Sequence, residues 1–276
     1  MLTPGVKDYL HQALSILSHI SLQPSAWLLA HQEHYLTSQQ QATWKDSFTR
    51  FLKGEPLEYI LNTAVFYSRQ FIVTPQVLIP RPASEAIIDA VVSRAASRSG
   101  GRQRCTLLDL GTGSGCLAIT LSLLFPTWEI TAIDISLEAL QITKKNIALH
   151  KVGSKVNCFQ SDWFSQIPSA NRFDYIICNP PYVLIEERED NDMLEVEPAI
   201  ALFPQNNSLA HYRSIAEEAC KRLTTNGEIY FECGKNQFQT IATYLQTLPL
   251  ALAPPYQDYA RIDRVLIAKN TLPSTS

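Results

Sequence analysis

Two short stretches of this 276-residue sequence hold side chains whose order suits group transfer. The first is Asp109-Leu110-Gly111-Thr112-Gly113-Ser114-Gly115, which closes the apolar run Thr106-Leu107-Leu108. Glycines in GxGxG spacing let a chain leaving a strand turn sharply and approach a ligand closely, and a helix starting there offers free backbone amides. A bare GxG pattern is weak evidence. Asp109, two positions before the first glycine, sharpens it. A carboxylate beside the turn opposes a pyrophosphate and suits a cationic amino group. It disfavours a nicotinamide dinucleotide and favours S-adenosylmethionine, whose sulfur is also a cation. Asp134 ends the next apolar run, where an acid can accept hydrogen bonds from both ribose hydroxyls. Ser161-Asp162-Trp163-Phe164 follows a third run. There Asp162 is expected to accept from an adenine amino group and Trp163 to flank the ring.

The second stretch is Asn179-Pro180-Pro181-Tyr182, after the run Phe173 to Cys178. Two prolines fix an extended turn and remove two backbone donors, which leaves carbonyls as acceptors. The Asn179 side chain adds a carbonyl, and Tyr182 adds a flat face. Such a set suits a planar NH2 group: two acceptors take its hydrogens and a ring stacks on its plane. Transfer from a sulfonium needs alignment and charge stabilisation, with no metal and no strong base. The loop alone does not separate an adenine from an amide.

The surrounding periodicity supplies the elements. Val6, Leu10, Ala13, Leu14 and Leu17 recur at helical spacing after Thr3-Pro4, a helix-start signal. Helices are also expected from Ala26 and over Ser38 to Leu52, which makes residues 1–60 a small helical domain. Val65-Phe66-Tyr67 and Phe71-Ile72-Val73 predict a β-hairpin linker over 61–82. Ile79-Pro80-Arg81-Pro82 must be extended. Over 83–276 a helix from Ser84 to Arg98 precedes alternating strands and helices. Strands are expected at Cys105–Leu110, Glu129–Ile133, Lys155–Gln160, Tyr175–Asn179, Gly227–Cys233 and Arg264–Ala268. Helices are expected at Gly115–Leu124, Leu137–His150, Ser208–Leu223 and Asn236–Thr247. Apolar strands alternating with helices predict an α/β, doubly wound, mostly parallel sheet.

Composition bounds the rest. The net charge of -3 gives no global basic field for a nucleic-acid or membrane partner. No apolar run is long enough to span a bilayer, and no signal peptide is evident. Six cysteines without CxxC spacing read as buried, reduced thiols of a cytoplasmic protein. His31 and His34 lie one helical turn apart without a third ligand, so they read as surface residues and no metal is expected. The acidic segment Glu186 to Asp192 reads either as a solvated loop or as a contact for a basic partner. The tail from Thr271 is expected to be disordered.

Taken together, Asp109 to Gly115 and Asn179 to Tyr182 resemble the class I amino-methyltransferases, which include adenine-N6 DNA methyltransferases and protein glutamine-N5 methyltransferases. Gly54-Glu55-Pro56-Leu57-Glu58-Tyr59-Ile60 resembles the linker of the release-factor glutamine methyltransferases. So does Leu78-Ile79-Pro80-Arg81-Pro82 with Glu85. Glu197-Pro198 with Ala201-Leu202, Glu232-Cys233-Gly234 with Gln237, and Asp258-Tyr259 with Asp263-Arg264 continue the likeness. The resemblance implies a seven-stranded class I methyltransferase sheet and S-adenosylmethionine as cofactor. It implies methylation of the glutamine in the GGQ loop of class I peptide chain release factors, with the helical domain binding that partner. A monomer is expected, although residue order does not itself fix the oligomeric state. The resemblance assigns Gly111, Thr112, Gly113, Ser114, Gly115, Asp134, Trp163 and Asn179 to the cofactor, and Asn179, Pro180, Pro181 and Tyr182 to the glutamine. Ala83-Ser84 departs from the family's usual Glu-Thr, and Ala260 or Arg261 stands where glycine is common. Both departures are expected to be peripheral. A DNA adenine methyltransferase would need a basic face, and a non-catalytic adaptor would not need the acceptor loop.

Overall fold

The structure, a computed structural model, describes residues 6–99, 104–183, 196–204 and 208–272. Thr3-Pro4, the acidic segment Glu186 to Asp192 and the last four residues lie outside the described residues. The chain divides into two compact units, 1–63 and 64–276.

The first unit is helical: α1 Val6–Ser21, α2 Ser25–Ala30, α3 Ser38–Leu52 and α4 Leu57–Leu61. Thr37 starts α3 with a capping box, accepting from the Gln40 amide while the Gln40 side chain reaches back. Trp44 Nε1 donates to the Ala13 carbonyl at 3.3 Å and so ties α3 to α1. His31 stacks on Trp27 with ring centroids 4.2 Å apart, and no metal-binding cluster is found among the described residues.

A two-stranded ribbon, β1 Thr63–Phe66 and β2 Arg69–Ile72, begins at the boundary, and all but its first residue belongs to the second unit. Tyr67 and Ser68 both take positive φ in its two-residue turn, the twist such hairpins require. A 3-10 turn at Pro82–Ser84 leads into α5, Glu85–Ser99. Strands and helices then alternate: β3 Thr106–Leu110, α6 Cys116–Leu124, β4 Glu129–Asp134, α7 Leu137–Leu149, β5 Val156–Gln160 and β6 Phe173–Cys178. They are followed by α8 Ala199–Leu202, α9 Ser208–Arg222, β7 Leu223–Glu232, α10 Phe238–Leu245, β8 Leu250–Leu252, β9 Tyr256–Gln257 and β10 Asp263–Asn270.

The sheet runs β5-β4-β3-β6-β7-β10-β8, with β9 on the side of β10. The strands from β5 to β7 are parallel, and β10 is antiparallel to β7. Alternate side chains feed two cores. Leu107, Tyr175 and Ile177 join α5 and α6 on one face; Leu108, Ile176 and Phe231 join α9 and α10 on the other. Trp128 stacks between Phe125 and Tyr175, at 4.0 and 4.7 Å between centroids. Full burial of each large apolar side chain stabilises the unit by about 1.5–3 kcal/mol. Among the cysteines Cys105 and Cys158 are only half-buried, which corrects the expectation for those two.

Candidate functional site

The sheet order reverses between β3 and β6, since β4 and β5 lie on one side of β3 and β6 and β7 on the other. At such a switch point the strand ends open a crevice. Leu110 pairs with Cys178, so Gly111 and Asn179 leave the sheet side by side. Leu110 also pairs with Ile133, which puts Asp134 next to the glycine turn.

The turn is held from several directions. The amides of Gly111 and Thr112 donate to the Ile133 carbonyl at 3.0 and 2.8 Å. Gly111, Gly113 and Gly115 have φ of 73°, 56° and 82°. At Gly115 a Cβ would stand 3.0 Å from Thr143 Cγ2, so glycine is required for both shape and space. Thr143 Oγ1 donates to the Gly113 carbonyl at 2.7 Å, and Asn146 Nδ2 donates to the Ser114 carbonyl at 2.8 Å. Both side chains on α7 are fully buried. Nothing in their spacing advertised this role, because Thr143 and Asn146 read as ordinary helix residues.

A cavity of about 310 Å³ lies over this turn. Gly111, Thr112, Gly113, Ser114, Asp134, Asp162, Trp163, Asn179 and Pro181 stand on its wall. Asp134 Oδ2 accepts from the Gly113 amide and Oδ1 from the Ser136 amide, both at 2.9 Å. Each oxygen keeps a lone pair for a ligand hydroxyl. Burial raises the Asp134 carboxyl, and the Ser136 and Gly113 amides oppose that shift. Trp163 takes φ 45° and lies over Gly111, whose Cβ position is 3.8 Å from the ring. Ser161 Oγ donates to the Trp163 carbonyl at 2.6 Å and holds that uncommon backbone. His211 on α9 also lines the cavity, its ring 5.6 Å from that of Trp163. Burial lowers the His211 value, with Asp162 opposing, so the neutral imidazole adds a second flat flank. Carboxylate, aromatic flanks and a bare glycine turn fit a ribose and a ring carried by a ligand such as an adenosyl group.

Four expected site residues lie behind the wall. Asp109 is 1% exposed, and its Oδ2 accepts from Thr112 Oγ1 at 2.6 Å. The expectation that it meets a ligand ammonium directly is corrected: the carboxylate props up the turn from beneath. Gly115 caps α6 below the cavity. Pro180 is buried. Tyr182 packs against Gly234, and its hydroxyl donates to Glu232 Oε1 at 2.9 Å. The expectation of a Tyr182 ring stacking on a planar acceptor is corrected, because the ring is committed to the end of β7. Gln237 Nε2 adds a bond to the Tyr182 carbonyl at 3.0 Å.

The proline segment completes the wall. Val77, Leu78, Pro80, Arg81 and Ser84 line the cavity. Arg81 is ion-paired with buried Glu197, whose Oε1 also accepts from the Ile79 amide at 3.2 Å. This pair ties the segment to 196–204. The expectation that Ser84 is peripheral is corrected: it is 4% exposed and accepts from Asn179 Nδ2 at 3.3 Å. Arg261 is exposed and takes φ 59°, a conformation glycine adopts without cost.

Comparison with known proteins places these features. Residues 84–197 match the Methyltransferase small domain and residues 4–61 the PrmC N-terminal domain. The chain is 34% identical to the release factor glutamine methyltransferase of Bordetella pertussis over 92% of each chain. It is 35% identical to the bifunctional methyltransferase of Rickettsia bellii, matching 95% of its own length and 51% of that protein's. The chain thus spans about half the length of such bifunctional relatives. A methyltransferase from Pyrococcus furiosus, 16% identical, shares the fold with a TM-score of 0.55 over 83% of this chain and 100% of that one. With 34% identity to the Bordetella protein over 92% of both chains, the chain belongs to the release factor glutamine methyltransferase family.

Proposed function

We propose that this protein transfers the methyl group of S-adenosylmethionine to the side-chain amide nitrogen of the glutamine in the GGQ loop of class I peptide chain release factors. The observation that carries the reading is that Asn179 and Pro181 share one cavity wall with the glycine turn and Asp134. A donor and a planar acceptor bound there would lie in contact. S-adenosylmethionine supplies a methyl group on a positively charged sulfur, a good leaving group. Asp134 accepts from the ribose hydroxyls, and Trp163 and His211 flank the adenine. The Asn179 carbonyl takes one hydrogen of the acceptor NH2, and a backbone carbonyl of the Asn179–Pro181 turn takes the other. Anchoring both hydrogens aims the nitrogen and opposes delocalisation of its lone pair into the amide. Tyr182 and Asp109 act by holding the loop and the turn.

In this reading residues 1–60 bind the release factor, 61–82 link the two parts and 83–276 carry the catalysis. The working form is a cytoplasmic monomer without direct nucleic-acid or membrane contact. The described residues include no helix long and apolar enough to cross a membrane. Incubation with labelled S-adenosylmethionine and purified release factor, followed by peptide mapping, tests the proposal. Label on the GGQ glutamine is expected. Label only on DNA adenine, or cofactor binding without transfer to release factor, would overturn it.

A further inference from the structure

Asn179 serves as an acceptor only if its carbonyl oxygen faces the cavity. A carboxamide has nearly the same shape either way round, so a neighbour must set its direction. That neighbour is Ser84, whose Oγ receives Asn179 Nδ2. A hydroxyl both donates and accepts, so Ser84 alone decides nothing. The deciding group lies one step further. Ser84 sits beside the carboxylate of Glu232, which is 0% exposed. Glu232 Oε1 is taken by the Tyr182 hydroxyl, while Oε2 is left without a hydrogen bond. A carboxylate only accepts, and leaving a buried acceptor unmet is costly. The Ser84 hydroxyl is the adjacent donor. With its proton turned to Glu232, Ser84 can offer Asn179 nothing but lone pairs.

We infer that Ser84 and Glu232 are positioning residues that fix the direction of the Asn179 carboxamide, so that its carbonyl faces the acceptor amino group. The inference rests on the proposed transfer to an amide nitrogen. Polarity passes from carboxylate to hydroxyl to amide. The same side chain anchors Tyr182, so both ends of the Asn179–Tyr182 loop refer to one buried carboxyl group. Burial opposes its charge, while Ser84, Tyr182, Arg264 and Arg81 support it.

Three single variants and one double variant test this. Glu232→Gln keeps the size but replaces one of the two acceptor oxygens with an NH2, so the Ser84 and Tyr182 hydroxyls can no longer both donate to position 232. The direction of the Asn179 carboxamide is then no longer fixed. Turnover should fall by about 10-fold or more, while KM for release factor and Kd for S-adenosylmethionine stay within about 2-fold. Ser84→Ala should lower kcat similarly, and Ser84→Thr, which keeps the hydroxyl, should restore it to within about 3-fold. Combining Ser84→Ala with Glu232→Gln should be no worse than either alone, because both break one chain of bonds. Unchanged kcat in both single variants would overturn the inference, as would a Ser84→Ala loss that threonine does not rescue. The Asn179 side-chain amide protons, followed by NMR in the enzyme without release factor, give an independent reading. One should exchange slowly in the parent protein and quickly in Ser84→Ala; equal exchange in both overturns the inference. Should release factor prove not to be the substrate, this reading still decides the orientation.

Discussion

Replacing Asp109 with asparagine should remove part of the pH dependence of stability. Asp109 is 1% exposed, and burial lifts its carboxyl from 3.8 to about 7. The charge of Asp134 pushes the same way, and the Thr112 hydroxyl pulls back. The unfolded chain exposes an ordinary aspartate. A folded value raised above the unfolded one means the native state holds the proton more tightly. The resulting stabilisation is complete below about pH 4 and is lost as pH rises through about 7. A shift of about 3 units corresponds to ~4 kcal/mol over the whole window. Between about pH 5 and about pH 8 the wild-type protein should lose a few kcal/mol, on the order of 2 to 3, from this one group. The amide variant has no such loss. Urea unfolding of both proteins across that range reads the effect as a difference. Glu232, also raised by burial, is present in both proteins and cancels, and Asp134 cancels apart from its coupling to Asp109, which disappears with the same carboxylate. The stability difference should move in favour of the variant as pH rises. Parallel curves, with a gap independent of pH, would refute the placement of a titrating carboxylate beneath the turn.

Asn179→Ala should cut methyl transfer by roughly 100-fold or more while thermal unfolding changes little, because it removes an acceptor aligned only for the reacting nitrogen; single-turnover assays and a melting curve check both halves. Asp134→Ala should raise the cofactor Kd by roughly 100-fold, equivalent to ~2.8 kcal/mol, and calorimetry showing unchanged affinity would make Asp134 purely structural. Gly115→Ala should destabilise by ~2 kcal/mol, since the new methyl meets Thr143 at 3.0 Å and the backbone must keep φ 82°; denaturant midpoints measure it.

Much of this was legible from residue order. The segment Ser38 to Leu52, with Trp44, Phe48, Phe51 and Leu52, and the apolar run before Gly111 carried local signals strong enough to predict α3 over the observed span and β3 to within a residue. The crevice residues Gly111 to Ser114, Asp134 and Asn179 were legible because strand ends in such a sheet share one edge. What stayed hidden depends on packing between distant segments. Asn146 gives no local sign that it grips the Ser114 carbonyl 32 residues away. Ser84 looked like a departure in a proline-rich segment, yet it meets Asn179 across 95 residues. Tyr182 and Asp109 were read as ligand contacts because residue type says nothing about which side of a turn a side chain faces. The short β8 and β9, split by Pro254-Pro255, have too few residues to show a period.

The cavity draws its wall from seven stretches scattered between Val77 and His211. No single stretch therefore contains even half of the binding surface. A nascent or refolding polypeptide gains affinity for its small ligand only when the last of these stretches docks, well after individual helices have formed. Ligand capture then acts as a latch on the finished unit: it raises the cost of opening any one stretch, and protease resistance should spread from residue 77 to residue 211 together instead of appearing segment by segment.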